Sequence, residues 1–376
     1  MHAEQRAHAH KTLTDHHINR ALFANPLSVT WLTGFAPPPQ LGPSPFAGGP
    51  SLVWYEGGDF VLIVVDTYAS DAAASGCSLV TYQGYTIQEQ LASAAHLTEA
   101  LRHVVGAPGA RAGLVGVEEG SLPVSLWSVL RAALPDGAEA LAIDGWLRPL
   151  REVKTDEELA KLRENFALTD SGHAAARRAV RAGQREIDVW TALESAIQQA
   201  AGQRVPVGND CVVGYRQDNS GGWPRDLVIR PRDSVIVDLS TVKHGYWSDS
   251  CATYYAGEPT RRQREMHRTA ADALEFAISL IKPGAIAREI DRAVRQFMAD
   301  AGYPVYPHHT GHGVGVSGHE EPRIVPYNDR VLEPNMALML EPGVYYPGET
   351  GVRLEDAVVV TATGAEILTH HDKSLP

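Results

Sequence analysis

Cysteine is scarce in this chain: Cys77, Cys211 and Cys251 are the only three among 376 residues. An odd, sparse and widely spaced set excludes a disulfide framework and fits a reducing, cytoplasmic setting. Long apolar runs are missing as well. No stretch reaches the ~18 apolar residues of a membrane-spanning helix. The opening MHAEQRAHAHKTLTDHH has no apolar core of the kind a secretory signal needs. Positive charge is in deficit, with 33 Lys and Arg against 45 Asp and Glu and a formal net charge of −12. That balance argues against a nucleic-acid partner and against an anionic membrane surface, and favours plain solubility. No internal repeat or low-complexity tract is visible. A hydrophobic content of 44% with 24 prolines fits an ordinary globular protein.

The length exceeds the ~100–200 residues of one domain, so two domains are expected. A boundary is placed near Arg148–Lys154, giving domains 1–150 and 151–376. In the first, RALFANPLSVTWLTGF and SLVWYEGGDFVLIVVD alternate apolar runs with turn signals, and Tyr55–Asp59 reads as a hairpin turn. Helices are expected over 84–105 and 124–133, and strands near 113–117 and 139–143, which together suggest a small α/β domain. The histidines at 2, 8, 10, 16 and 17 read as the wet face of a first helix. Ala36–Pro50, rich in Pro and Gly, reads as a surface loop, with a flap beside a site as the alternative. In the second domain Thr155 is a candidate N-cap with Glu158 as its capping-box partner. Helices are expected from there, over 185–201, 260–281 and 285–301. Strands are expected at 234–240, 246–255, 336–341 and 352–360. This half reads as helices covering a largely antiparallel sheet, an α+β arrangement.

Two apolar strands in that half end in carboxylates. The run 234–238 ends in Asp238, and Asp249 follows after the turn Lys243-His244-Gly245. A hairpin symmetric about 243 and 244 would pair Asp238 with Asp249, their Cβ atoms ~5 Å apart. The run 337–341 ends in Glu341, and a second hairpin about Gly348 would oppose Glu341 and Glu355. Alternation puts Arg353 on the face of Glu355, where it can orient a ligand carboxylate. Opposed like charges destabilise a sheet unless a cation lies between them. Alone, each aspartate is more simply a solvated turn residue. A third element places His308, His312 and His319 in a glycine-rich segment whose glycines allow close backbone approach to a site. Four carboxylates balance two divalent cations, whereas one cation would leave excess buried charge. Oxygen-rich ligation with a single imidazole suits manganese, with cobalt, zinc or iron as substitutes. Water between two such ions ionises near neutral pH and would provide a nucleophile without Ser or Cys.

These residues, in this order, resemble the pita-bread metallopeptidases: prolidase, aminopeptidase P and methionine aminopeptidase. The resemblance covers about 150–376 and implies a C-terminal pita-bread domain. The N-terminal half, notably SVTWLTGF, resembles the smaller creatinase-like domain of prolidase and aminopeptidase P, which methionine aminopeptidase lacks. By this resemblance Asp238 looks like a bidentate ligand of one metal. Asp249 and Glu355 look like bridging carboxylates, and His312 and Glu341 like ligands of the other metal. His319 resembles a histidine that contacts the tetrahedral intermediate, and His308 one that lines the substrate pocket. Arg323 resembles an arginine of prolidases that reads a free C-terminal carboxylate. A homodimer whose Pro-rich loop borders the pocket is also implied. The chain departs from the pattern at Gly221, where relatives usually carry a substrate-facing histidine, and at Ser240 and Cys251.

The resulting expectation is a dinuclear metal-dependent exopeptidase, prolidase-like on Xaa-Pro peptides. Proline-releasing carboxypeptidase or aminopeptidase P activity on longer peptides is the alternative. A creatinase-like amidinohydrolase works without metal and lacks several ligands. A pita-bread binding protein typically has an eroded set. The five filled positions disfavour both.

Overall fold

The computed structural model describes residues 2–38, 46–106, 112–217 and 222–376, and the chain divides into two compact units, Met1–Arg151 and Glu152–Pro376. The N-terminal unit is built on a six-stranded sheet. Its centre is Arg20–Phe23, antiparallel to Leu52–Glu56 and parallel to Leu114–Val117. The hairpin Leu52–Glu56/Asp59–Val65 turns at Gly57 and Gly58, both at positive φ, where a side chain would be strained. Helices Ser93–Val105 and Val124–Ala133 bury Leu97, Leu101, Leu126 and Leu130 against this sheet. Residues 84–92, expected to be helical, are not, and the helix starts only at Ser93. His2 departs from the expected wet face. It precedes the first helix, is fully buried, and its Nδ1 bonds the Trp31 carbonyl at 2.7 Å. Of the loop Ala36–Pro50, residues 39–45 lie outside the described residues, so the flap expectation does too.

The C-terminal unit carries long helices over antiparallel sheets. Helix Asp156–Ala179 begins in the expected capping box: Thr155 Oγ1 accepts from Glu158 N–H at 3.3 Å, and Thr155 N–H donates to Glu158 Oε2 at 2.9 Å. A second box, Thr260 with Gln263, opens Arg261–Leu280. Helix Ala287–Asp300 buries Ile290, Val294 and Met298, spaced four apart on one face. Full burial of such a side chain contributes roughly 1.5–3 kcal/mol. One sheet orders Ser250–Tyr255, Ser234–Lys243 and Val207–Val213 side by side. The other is five-stranded and places Gly311–Gly313 and Asp356–Val360 on either side of Ala337–Leu340.

The two carboxylate hairpins differ from each other. In the first, Val242 pairs with Trp247 and Asp238 with Cys251, not with Asp249. The turn centres on His244 and Gly245, at φ of 56° and 75°, as a two-residue hairpin turn requires. The expected register was therefore displaced by two residues. Because side chains alternate with period two, Asp249 still shares the face of Asp238. In the second hairpin the expected register holds. Leu340 pairs with Asp356 and Gly343 with Arg353, so Glu341 and Glu355 oppose each other where the ladder is interrupted.

Candidate metal centre

The strand ends and turns of both sheets converge on one cavity of about 510 Å³. Asp238, Asp249, His312, Glu341 and Glu355 all line it, with His308, His319 and Arg353. Asp238 and Asp249 come from one sheet; His312, Glu341 and Glu355 come from the other. Two strands can approach His312 closely only because its neighbours lack side chains. A Cβ on Gly311 would collide with the Met339 carbonyl, and one on Gly313 with the Glu321 carbonyl. These two glycines thus let the flanking strands pack closely beside His312.

The donors and acceptors fix most ring orientations. His312 Nδ1 lies 2.9 Å from the Gly313 carbonyl. A carbonyl only accepts, so Nδ1 carries the proton and Nε2 presents its lone pair to the cavity. That nitrogen is 3.8 Å from Asp249 Oδ2 and 3.7 Å from Glu341 Oε1. His308 Nδ1 is 2.8 Å from the His309 carbonyl, and its Nε2 is 2.8 Å from the Tyr345 hydroxyl. Both nitrogens of His308 are therefore engaged within the protein, and its ring stacks on Tyr306 with centroids 4.9 Å apart. The ring of His319 stacks on His312 with centroids 4.0 Å apart, and its edge is exposed. Arg353 donates from Nη2 to Asp238 Oδ2 at 2.5 Å and to Asp210 Oδ2 at 3.1 Å. It is a positioning residue for Asp238. Arg323 is exposed and outside the cavity lining, with its guanidinium 3.1 Å from His309 Nδ1.

Asn209, Asp210, Pro307 and His309 also line the cavity, and none of the four is among the site residues expected from the sequence. Asn209, at φ 84°, turns its amide to Ser240 Oγ at 2.7 Å, Asp238 Oδ1 at 3.2 Å and Asp249 Oδ1 at 3.4 Å. Asp210 shares Arg353 with Asp238, and burial, then Asp238, pushes its carboxyl up to about 6. The signal was present: Gly208-Asn209-Asp210 interrupts an otherwise apolar strand with turn-forming residues, a local rule broken beside a site. His309 was overshadowed by its neighbour, and its Nε2 sits 2.7 Å from Glu341 Oε1. Of the departures from the family pattern, Ser240 donates to Asp249 at 3.2 Å, and Cys251 lies buried with Sγ 3.6 Å from the Arg353 carbonyl. Gly221 lies outside the described residues.

Protein groups alone do not balance this cluster. Burial, followed by the charges of Asp238 and Glu341, drives the Asp249 carboxyl well above its ordinary value. Burial, then Asp249 and Glu341, does the same to Glu355. Burial, then His319, pushes His312 down to about 3, the neutral state a metal ligand needs. Burial also works to raise Glu341, but the His309 hydrogen bond and the flanking histidines hold it low. Glu355 Oε2 is buried without a hydrogen-bond partner. One ligand atom each from Asp249, His312 and Glu355 falls within 4.8 Å of the others. An orphaned carboxylate oxygen beside a neutral imidazole and further carboxylates fits a divalent cation.

Residues 160–362 match the metallopeptidase family M24, and residues 5–153 match the creatinase/prolidase N-terminal domain. The Xaa-Pro dipeptidase of Lactobacillus delbrueckii subsp. lactis is 36% identical over 262 residues, 69% of this chain and 71% of that protein. Among solved structures, the Xaa-Pro dipeptidase from Bacillus anthracis has a TM-score of 0.83 at 27% identity, covering 100% of this chain and 99% of that one. The prolidase from Pyrococcus furiosus has a TM-score of 0.80 at 27% identity, covering 96% and 99%.

Proposed function

The chain belongs to metallopeptidase family M24, with a creatinase-type N-terminal domain and a pita-bread domain behind it, and from that premise we propose that it is a prolidase-like exopeptidase cleaving Xaa-Pro dipeptides. The observation that carries this reading is the buried set Asp238, Asp249, His312, Glu341 and Glu355 with its orphaned Glu355 oxygen. Asp238 and Asp249 would hold one divalent ion, His312 and Glu341 a second, with Asp249 and Glu355 shared between them. Manganese is our choice, because oxygen donors dominate the set. When bound, such a pair supplies Lewis acidity and water that ionises near neutral pH.

The chain's own residues supply the rest. Arg353 and Asn209 fix the Asp238 carboxylate between them. Ser240 and Asn209 do the same for Asp249. His319, with an exposed edge at the cavity, would donate to the oxyanion that develops on the scissile carbonyl. The His308 ring, clamped by Tyr345, would form a pocket wall for the substrate. The exposed Arg323 guanidinium would receive the carboxylate of the C-terminal proline. We place the enzyme in the cytoplasm as a homodimer, which light scattering at micromolar concentration would check; among the described residues, no helix is long and apolar enough to cross a membrane.

The deciding experiment combines metal analysis with turnover of Ala-Pro. Two ions per chain, loss of activity on chelation and recovery with manganese are expected. Active protein that binds one ion or none at saturating metal would sink the dinuclear reading. Robust metal binding without cleavage of any Xaa-Pro peptide would sink the substrate assignment.

A further inference from the structure

His309 stands between the protein surface and a proposed metal ligand, and its two nitrogens face groups of opposite hydrogen-bonding character. On one side Arg323 Nη2 lies 3.1 Å from Nδ1. A guanidinium donates and has no acceptor capacity. Nδ1 must therefore be the lone-pair nitrogen, and the ring proton must sit on Nε2. On the other side Nε2 lies 2.7 Å from Glu341 Oε1, a carboxylate oxygen that accepts. The three groups form a directed chain in which Arg323 donates to His309 and His309 donates to Glu341. The opposite tautomer would set an N–H against the guanidinium and a lone pair against the carboxylate, losing both bonds.

Glu341 has a second neighbour on the same oxygen, His312 Nε2 at 3.7 Å. The His312 nitrogen carries a lone pair, as its bond to the Gly313 carbonyl dictates. The two histidines beside Glu341 Oε1 thus differ in kind: one offers a proton to the carboxylate, and the other offers electrons to a cation. A carboxylate ligand that also accepts a hydrogen bond is held in one orientation, and losing such a partner typically costs ~10–100-fold in metal affinity.

We propose that His309 is a positioning residue that orients Glu341 for metal binding, with Arg323 as the group that sets its tautomer. The inference rests on the reading of Glu341 as a metal ligand. It gives the exposed Arg323 a role before any substrate arrives. It also links the peptide-recognition group to the metal centre through a single ring. An arginine engaged through one N–H keeps others for a substrate carboxylate. A substrate carboxylate can therefore bind that guanidinium without displacing His309.

The alternative role for His309 is direct ligation, because one ring nitrogen each from His309, His312 and His319 lies within 4.8 Å of the others. Ligation through Nε2 would require the proton to move to Nδ1, against Arg323, which is why the positioning role is favoured.

The test measures manganese binding without substrate, by titration calorimetry or competition with a chromophoric chelator, on the full chain. Wild type should bind two ions. His309→Ala should weaken the Glu341-dependent ion by ~10–100-fold. His309→Gln, whose amide can still donate, should recover part of that loss. Arg323→Gln, an exposed substitution that leaves the fold intact, should weaken the same ion by a smaller factor, and Arg323→Lys, which still donates, should restore it. Unchanged affinity in both His309→Ala and Arg323→Gln overturns the inference while leaving the metal centre standing. A third bound ion in wild type, lost in His309→Ala, also overturns it, by showing ligation at the three imidazoles. Wild type that binds no ion at all refutes the proposed function itself, a separate failure.

Discussion

Arg353 Nη2 and Asp238 Oδ2 meet at 2.5 Å, a buried pair joining two β-hairpins more than a hundred residues apart in sequence. The same guanidinium reaches Asp210, so one cation serves two carboxylates. Removing it leaves two largely buried carboxylates without their cation. Arg353→Ala should lower the unfolding free energy of the metal-free protein by ~3–5 kcal/mol. Divalent ions offset part of that charge, so the loss should be smaller in metal-loaded protein. Urea unfolding with and without chelator measures both. Equal losses in the two states would show that Arg353 answers packing rather than charge.

Which parts of this site were legible in the sequence follows from what sets each one. The second hairpin was readable because its turn, Tyr346-Pro347-Gly348-Glu349, has a single centre, and the register 340 with 356 and 343 with 353 extends from it. The first was displaced because Lys243-His244-Gly245 allows two centres, and only the backbone at His244 and Gly245 decides between them. Period-two alternation keeps Asp249 on the face of Asp238 under either centre. Thr155 and Glu158 were legible because a capping box is local. His2 was not, because its partner, the Trp31 carbonyl, comes from a distant segment. Asn209 and Asp210 leave a local trace, turn-forming residues inside an apolar strand, but their partners Asp238 and Arg353, like the Glu341 partner of His309, are set by contacts that no spacing encodes.

The paired carboxylates also predict an unusual pH dependence. Asp249 and Glu355 are driven well above their ordinary values of 3.8 and 4.5, by burial first and then by neighbouring carboxylates. In the unfolded chain both ionise near those ordinary values. Above them the folded state binds more protons than the unfolded one, so stability falls as pH rises. Their contribution is complete below the ordinary values and is lost as pH climbs toward the folded ones. His173 acts oppositely: burial, then His371, holds it well below 6.5, so its contribution is lost as pH falls. Glu355→Gln isolates the carboxyls. In chelator, wild type should lose stability relative to Glu355→Gln as pH rises above the ordinary carboxylate range, and metal should abolish the difference. Parallel pH profiles for the two proteins in chelator would count against this account.

His319 should separate chemistry from metal binding. It stacks on His312 at 4.0 Å yet keeps an exposed edge at the cavity. His319→Ala should retain two ions per chain and lose ~2.7–4 kcal/mol of transition-state stabilisation, seen mainly in kcat. Burial, followed by His309, lowers its proton affinity, so the ring is neutral at working pH and donates from whichever nitrogen carries its proton. A variant with full kcat, or one that loses metal along with activity, would remove His319 from the oxyanion role.

The last prediction concerns the end of the peptide that is read. Arg323 is exposed beside His309, and His309 lines the cavity. Its guanidinium spends one N–H on His309 and keeps donors for a planar carboxylate. A dipeptide places its free carboxylate one residue beyond the scissile bond, and an amide there offers the guanidinium no negative charge. Amidating Ala-Pro should therefore cut kcat/KM sharply, and at saturating manganese, where any weakening of metal binding is masked, Arg323→Gln should abolish the difference between acid and amide by lowering turnover of the acid alone. A hydrogen bond to a charged group is worth ~1.5–3 kcal/mol, and the exposure of Arg323 places its loss toward the lower end. Comparing Ala-Pro with a longer peptide ending in proline then separates two activities that share this requirement. Preference for the dipeptide supports prolidase chemistry. Equal turnover of the longer peptide identifies a proline-releasing carboxypeptidase. Undiminished cleavage of the amide by wild type would show that the carboxylate is not read at all, and that Arg323 serves the metal ligand through His309 alone.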